Sequence, residues 1–173
     1  MTGIHKASGM ILILALTAVI LSLTGCTGGS EELRIGSSAP DFELKNLDGQ
    51  SISSNSLRNK SIFLNFWNST SSTCVKDRPV FQELFENWSG RNDVVLLTVN
   101  IGENQATVKE FMESNGYTFL VLLDTQYDVS ARYAVQYVPT SILIGKDGKI
   151  KLNTVGEYKS IAAIEKQVAS YLD

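Results

Sequence analysis

A nearly continuous apolar run at positions 61–67 is the feature that most constrains how this chain can fold. A strand without polar alternation has both faces covered, as happens to a central strand whose sheet carries helices on either side. Further apolar runs follow at 94–99 and 119–123, and segments with helical periodicity separate them. The order strand, helix, strand, helix predicts an α/β fold with a mixed central sheet and helices on both faces.

Two hairpins complete the predicted sheet. An Asp-Gly turn at 48–49, between short strands, predicts an N-terminal β-hairpin. Strands at 141–144 and 150–155 flank a second turn and form an antiparallel pair. A short helix is predicted near 126–133, and three longer helices have inner faces formed by Val80, Phe81, Leu84, Phe85 and Trp88, by Val108, Phe111 and Met112, and by Ile161, Ile164, Val168 and Leu172.

The first 25 residues are predicted to be an export signal. Their apolar stretch, 10–23, is shorter than the roughly 20 residues that span a bilayer as a helix. Segment 23–26 reads LTGC and resembles the lipobox of bacterial lipoproteins, which implies a lipidated Cys26 at the mature N-terminus. We therefore expect a flexible tether at 26–34 and one membrane-tethered domain at 35–173, outside the cytoplasm. The alternative is an uncleaved signal anchor.

Composition excludes several functions. The net charge is −3, with a pI near 5.2 and scattered basic residues, so nucleic acid is not an expected partner. The only histidine, His5, lies in the export signal, which leaves the domain without the ligands of a His/Cys metal site and without a Ser-His-Asp arrangement. No phosphate-binding loop motif is present. We expect a monomer with no cofactor and no metal.

A single cysteine, Cys74, lies where the central strand gives way to a helix. The partial positive charge of a helix N-terminus favours a thiolate, and redox cysteines are common at such junctions. A C-x-x-C motif would need a second cysteine at the position of Ser71. Disulfide exchange needs one thiolate to form a mixed disulfide and a second thiol to release it, and a serine hydroxyl cannot replace the first.

Several segments carry a family resemblance. From about Gly36 to Asp173 the chain resembles the redoxin branch of the thioredoxin fold, and specifically the membrane-anchored thiol–disulfide oxidoreductases of the TlpA and ResA type. The resemblance implies a thioredoxin-like fold and protein or small thiol and disulfide substrates. The segments that carry it are 39–44 with 47–49, 64–67, and 133–140 with 142–148.

By this resemblance, Ser71 occupies the place of the attacking cysteine and Cys74 that of the resolving cysteine. Thr70 occupies the place of a tryptophan, and Pro79 that of a proline within the helix. We expect a trans peptide bond before Pro79, and a kink in the helix.

The resemblance also implies a substrate groove opposite Cys74. Val138 and Pro139 match the family's loop that faces the dithiol, and their peptide bond is expected to be cis. With Thr70 and Trp67 they would line the groove, although Trp67 fits a core position equally well.

The sequence is compatible with three functions. In the first hypothesis, Cys74 acts alone, through mixed disulfides or a sulfenic acid that an external thiol resolves. In a second hypothesis the chain is a peroxiredoxin-like peroxidase, but Trp67 stands where that motif has proline, and 138–140 lacks the expected arginine. In a third, the chain is a binding module that keeps the groove without redox turnover.

Other polar and aromatic residues receive simpler interpretations. Asp77 and Arg78 are expected on a solvated helix face. Tyr127, Tyr133 and Tyr137 are expected to be core and rim aromatics rather than a ligand cage.

Overall fold

The computed structural model describes residues 33–172, in which seven strands form one mixed sheet. Two short 3₁₀ helices, Ser54–Leu57 and Ala169–Tyr171, accompany these elements. The strands are β1 Glu43–Asn46, β2 Ser51–Ser53, β3 Ser61–Trp67, β4 Val94–Ile101, β5 Val121–Asp124, β6 Thr140–Ile144 and β7 Ile150–Val155, and the helices are α1 Ser72–Trp88, α2 Gln105–Asn115, α3 Asp128–Arg132 and α4 Ile161–Val168.

In the sheet order β2-β1-β5-β4-β3-β6-β7, strand β3 is an interior strand between β4 and β6. It runs parallel to β4 and antiparallel to β6, while β4 runs parallel to β5. The two hairpins, β1 with β2 and β6 with β7, are antiparallel. The predicted α/β fold, with its mixed sheet and N-terminal hairpin, is therefore confirmed.

Alternate side chains of β3 enter two separate cores, which explains why this strand is apolar except at Ser61 and Asn65. Phe63 and Trp67 pack on one face with apolar residues of α1, α2 and α4. Leu64 and Phe66 pack on the other face with α3 and the segment before β1. All seven residues of β3 are buried. The site described below lies at one end of this doubly covered strand.

The helix starts follow their capping residues. Ser71 caps α1, Asn104 caps α2 and Ser160 caps α4, each accepting a hydrogen bond from a backbone N–H three residues on. Helix α2 ends at Gly116, whose φ of 68° is the left-handed conformation that glycine adopts without strain. Helix α1 continues through Pro79, and the peptide bond before this proline is trans, as predicted.

The prediction that Asp77 and Arg78 lie on a solvated helix face is wrong. Their exposed fractions are 1% and 0%. Together with Cys74 and Phe81 they form the i, i+3, i+4, i+7 stripe that α1 turns toward the sheet. Periodicity of apolar residues alone therefore placed two inward positions on the outside of the helix.

The three tyrosines divide between core and surface. Tyr133 is buried and its hydroxyl donates to the Pro40 carbonyl oxygen at 2.6 Å. Tyr127 and Tyr137 are exposed. Within residues 33–172, no helix combines the length and apolar character needed to cross a membrane. The predicted export signal and Cys26 lie outside the described residues.

Candidate functional site

The candidate site lies where β3 ends and β6 begins. Because Phe66 pairs with Thr140 in the antiparallel ladder, loop 68–71 and segment 137–139 emerge side by side from the same end of the sheet. Val138 packs against the core cluster that contains Cys74. The peptide bond between Val138 and Pro139 is cis, as predicted. The fold thus brings together the segments that contain the predicted site residues.

Ser71 serves as the N-cap of α1. Its hydroxyl oxygen accepts a hydrogen bond from the Cys74 N–H at 3.4 Å, and its own N–H donates to the Asn68 side chain at 2.9 Å. The Asn68 oxygen also accepts from the Thr70 hydroxyl at 3.1 Å. The Ser71 hydroxyl thus satisfies a backbone donor at the helix start. Without histidine in the domain, this hydroxyl has no imidazole to activate it as a nucleophile.

Glu103 holds the same loop from the side of β4. Its carboxylate accepts from the Ser69 N–H at 2.8 Å, from the Ser69 hydroxyl at 2.5 Å and from the Asn100 amide at 2.6 Å. Sequence reasoning missed this residue. Strands β3 and β4 are parallel, so Glu103, which follows β4, lies at the same end of the sheet as loop 68–71, which follows β3. This position after a neighbouring parallel strand was the sequence signal that could have identified Glu103 as a site residue.

Cys74 lies in the first turn of α1 and is completely buried. Its exposed fraction is 0%, and it belongs to the apolar cluster that includes Trp67 and Phe81. It forms no disulfide within the described part of the chain. Attack on an external disulfide requires an accessible sulfur, so Cys74 can react only if the first turn of α1 opens.

We expect Cys74 to resist alkylation in the native protein. Iodoacetamide should label it at least about 100-fold more slowly than in guanidinium, because labelling must await local opening of α1. Peptide-level mass spectrometry separates Cys74 from Cys26. The double variant Ser71→Cys with Cys74→Ser provides a half-exposed thiol that has no partner for a disulfide within the motif, and it serves as the control. A native rate within about tenfold of the unfolded rate would contradict the inaccessibility of the sulfur.

A buried ion pair lies on the next turn of α1. Arg78 Nη2 and Asp77 Oδ1 are 2.8 Å apart, and both side chains have no exposed surface. Desolvation raises the pKa of Asp77 and lowers the pKa of Arg78, while their mutual attraction opposes both shifts. Among residues 33–172, Asp77 Oδ2 and Arg78 Nη1 have no side-chain hydrogen-bond partner. The pair is therefore intolerant of losing either member.

The Arg78 guanidinium lies among aromatic rings. It is 4.8 Å from the ring centroid of Trp67, 4.5 Å from that of Phe81 and 5.8 Å from that of Phe119. Ring faces attract cations, and the attraction is stronger where water is excluded. Trp67 has an exposed fraction of 0%, so its ring packs in this core cluster.

Hydrogen bonds from Arg78 connect the two walls of the site. Its Nε donates to the Cys74 carbonyl oxygen at 3.1 Å, and its Nη2 donates to Asn65 Oδ1 at 2.6 Å. The Asn65 amide then donates to the Ser141 hydroxyl at 2.9 Å. This chain of contacts joins the first turn of α1 to β3 and to the strand that follows Pro139.

An arginine therefore does lie near Cys74, although not at 138–140, where a peroxidase was expected to carry it. It is Arg78, one turn further along α1, and its side chain folds back to the Cys74 carbonyl.

The predicted groove residues differ in exposure: Thr70 is exposed, Val138 is half-buried and Pro139 is buried. Among the described residues, no three His, Cys, Asp or Glu side chains are grouped as metal ligands.

Comparisons with known proteins identify the family and the fold. Residues 35–153 match the AhpC/TSA family. The chain is 38% identical over 117 residues to the thiol-disulfide oxidoreductase ResA of Geobacillus thermodenitrificans (strain NG80-2), covering 68% of this chain and 67% of that protein. It is 33% identical over 143 residues to ResA of Bacillus subtilis (strain 168), covering 83% and 79%.

Solved structures share the fold. StoA from Bacillus subtilis matches with a TM-score of 0.66 and 27% identity, covering 75% of this chain and 97% of that one. A thioredoxin family thiol:disulfide interchange protein from Chlorobium tepidum TLS matches with a TM-score of 0.70 and 23% identity, covering 81% and 99%. The fold is thus thioredoxin-like. The chain belongs to the AhpC/TSA family, as a relative of the ResA thiol-disulfide oxidoreductases.

Proposed function

We propose that this chain is an extracytoplasmic, lipid-anchored member of the thiol-disulfide oxidoreductase family that binds extended polypeptide without catalysing disulfide exchange. The complete burial of Cys74 carries this proposal. The half-buried position at the helix start, where an attacking thiol would meet its substrate, has a hydroxyl instead. In this proposal the chain retains the family's substrate groove at Val138 and Pro139 but lacks the attacking thiol.

Loss of turnover follows from the thiol chemistry. Exchange forms a bond between an attacking thiolate and a substrate sulfur, and a second protein thiol then displaces the substrate. Ser71 cannot make the first bond, and Cys74 is screened from substrate by the first turn of α1. A function of Cys74 as a single thiol would require frequent opening of that turn, which the alkylation experiment measures directly.

Binding is supported by the backbone of the loop. Among residues 33–172, the N–H and C=O of Val138 have no hydrogen-bond partner. A free donor and acceptor on one residue can pair with an extended chain in the manner of an added strand. Tyr137 is 68% exposed beside them, and Thr70 and Val75 are exposed on the α1 side. In this proposal the exposed ring of Tyr137 provides apolar contact area beside the free backbone groups.

The binding experiment uses a polypeptide without thiols. Fluorescein-labelled insulin B chain, with its cysteines carboxamidomethylated, should bind the full chain in fluorescence anisotropy titrations. Tyr137→Ala should weaken binding about fivefold or more, since exposed aromatics dominate such contacts. The matched control is Tyr171→Ala, an exposed tyrosine in the C-terminal 3₁₀ helix. Cys74→Ala should leave the affinity unchanged. No detectable binding, or equal weakening by both tyrosine variants, would refute the groove.

The mature protein is expected to begin at a lipidated Cys26, on the basis of the LTGC segment. Intact-mass analysis of protein extracted from membranes should give a chain of residues 26–173 plus the mass of the lipid. Cys26→Ser should abolish both cleavage and lipidation, while Cys74→Ser should alter neither. Recovery of the full leader, or of an unmodified Cys26, would contradict the lipoprotein assignment.

A further inference from the structure

A cluster of basic side chains lies at the end of the sheet opposite the groove. Strand β3 begins here at Ser61, and the turn between β6 and β7 lies beside it. An open cavity of about 400 Å³ has Arg58, Lys60 and Lys146 in its lining. We call these three residues, together with Lys149 of the same turn, the basic face.

Positive charge is in excess at this end of the domain. The basic side chains here are Arg58, Lys60, Arg91, Lys146, Lys149 and Lys151. Asp93 pairs with Arg91 at 2.5 Å and is also attracted by Lys146, and Asp147 pairs with Lys151 at 2.7 Å and is also attracted by Lys149. Asp41, which also lines the cavity, accepts from the Ser54 hydroxyl at 3.2 Å. The basic face therefore differs in sign from the whole chain, whose net charge is −3.

The N-terminal end of the domain lies on the same side. Gly36 N–H donates to the Ile150 carbonyl at 2.8 Å, and Ala39 N–H donates to the Gly148 carbonyl at 2.9 Å, so this segment runs beside the turn of the basic face. Ile35 is 62% exposed next to it. Between Cys26 and this point, the predicted tether of residues 26–34 reaches at most about 30 Å when fully extended.

We propose that the basic face docks on anionic lipid headgroups of the membrane that holds the anchor. This docking rests on the lipidated Cys26 proposed above. Each basic residue held near an anionic surface strengthens attachment about fivefold, and one lipid signal combined with a basic patch attaches more firmly than either alone. A domain docked in this way directs the groove, at the opposite end of the sheet, away from the bilayer.

The experiment measures lysine accessibility in the full lipidated chain on vesicles. One set of vesicles is pure phosphatidylcholine, and the other contains about 30% phosphatidylglycerol. Amine-reactive labelling of Lys60, Lys146 and Lys149, read by peptide mass spectrometry, should fall about fivefold or more on the anionic vesicles and recover in about 0.5 M sodium chloride. Lys76 on α1 and Lys109 on α2 are exposed internal controls, and their labelling should not change.

A double variant tests the cause. Arg58→Gln with Lys60→Gln should abolish the protection of Lys146 and Lys149, whereas the control Lys45→Gln with Lys109→Gln should preserve it. Equal labelling on both vesicles, uniform protection of all lysines, or the same protection by inorganic phosphate in solution would overturn the docking. Flotation of the vesicles tests the lipid anchor separately. If the protein floats with both kinds of vesicle but shows no selective lysine protection, the anchor is present and the docking of the basic face is refuted. If the protein floats with neither, both the anchor and the docking are refuted.

Discussion

Replacing Ser71 with cysteine is expected to create disulfide reductase activity that the natural chain lacks. Position 71 is half-buried at the start of α1, and Cys74 follows three residues later in the first helical turn. A C-x-x-C pair at a helix start brings two sulfurs within bonding reach, and the helix N-terminus favours the thiolate of the outer one. Reduction of insulin with dithiothreitol as the electron donor should rise on the order of 100-fold above wild type.

Two variants separate the roles of the thiols in that assay. Cys74→Ser alone should match wild type, because neither chain has an accessible nucleophile. Ser71→Cys with Cys74→Ser should form mixed disulfides that it releases slowly, since the resolving thiol is gone. Equal turnover by wild type and Ser71→Cys would show that the first cysteine is unnecessary. An inactive Ser71→Cys would show that the surroundings have also diverged, with Arg78 the nearest candidate.

Arg78→Met is expected to cost about 3–5 kcal/mol of unfolding free energy, because it leaves the buried Asp77 carboxylate without its partner. Asp77→Asn should also destabilise strongly, since it leaves the buried guanidinium without its counter-charge. The double variant Asp77→Leu with Arg78→Met should recover part of the loss, because apolar groups of similar size replace both ions together. Asn65 Oδ1, which accepts from Arg78, still loses its donor in this variant. Urea unfolding followed by tryptophan fluorescence measures all three.

The control for this series is Arg91→Met, which breaks a partly exposed ion pair with Asp93. It should change the unfolding free energy by less than about 1 kcal/mol. If Arg78→Met costs as little as Arg91→Met, or if the double variant is no more stable than the single ones, the buried pair is not the structural unit inferred here.

Much of the fold was predictable because its signals are local. The apolar run at 61–67 predicted β3, and the turn before residue 150 predicted the start of β7; both strands have the predicted bounds in the structure. Strand β5 begins at Val121 rather than at 119, because the ladder with β4 starts with the pair Thr98 and Val121. Helix α2 begins earlier than its apolar pattern, because Asn104 caps it. Hydrophobic periodicity does not detect either of these ends.

The site was predictable only in part, for a related reason. Ser71, Cys74 and the cis bond before Pro139 followed from motifs in the sequence. The pair Asp77 and Arg78 was misplaced because polar residues on an inner helical stripe look like surface residues until the neighbouring elements are known. Glu103 was missed because its contact with Ser69 joins residues 34 positions apart, across two parallel strands.

The most direct measurement of the proposed function is the intact mass of the wild-type chain after native incubation with a peptide that contains an intramolecular disulfide. Binding without exchange predicts that the peptide associates reversibly and that the mass of the protein stays unchanged under denaturing, non-reducing conditions. A covalent adduct of one peptide mass, located at Cys74 by digestion, lost on reduction and absent from Cys74→Ser, would contradict the account.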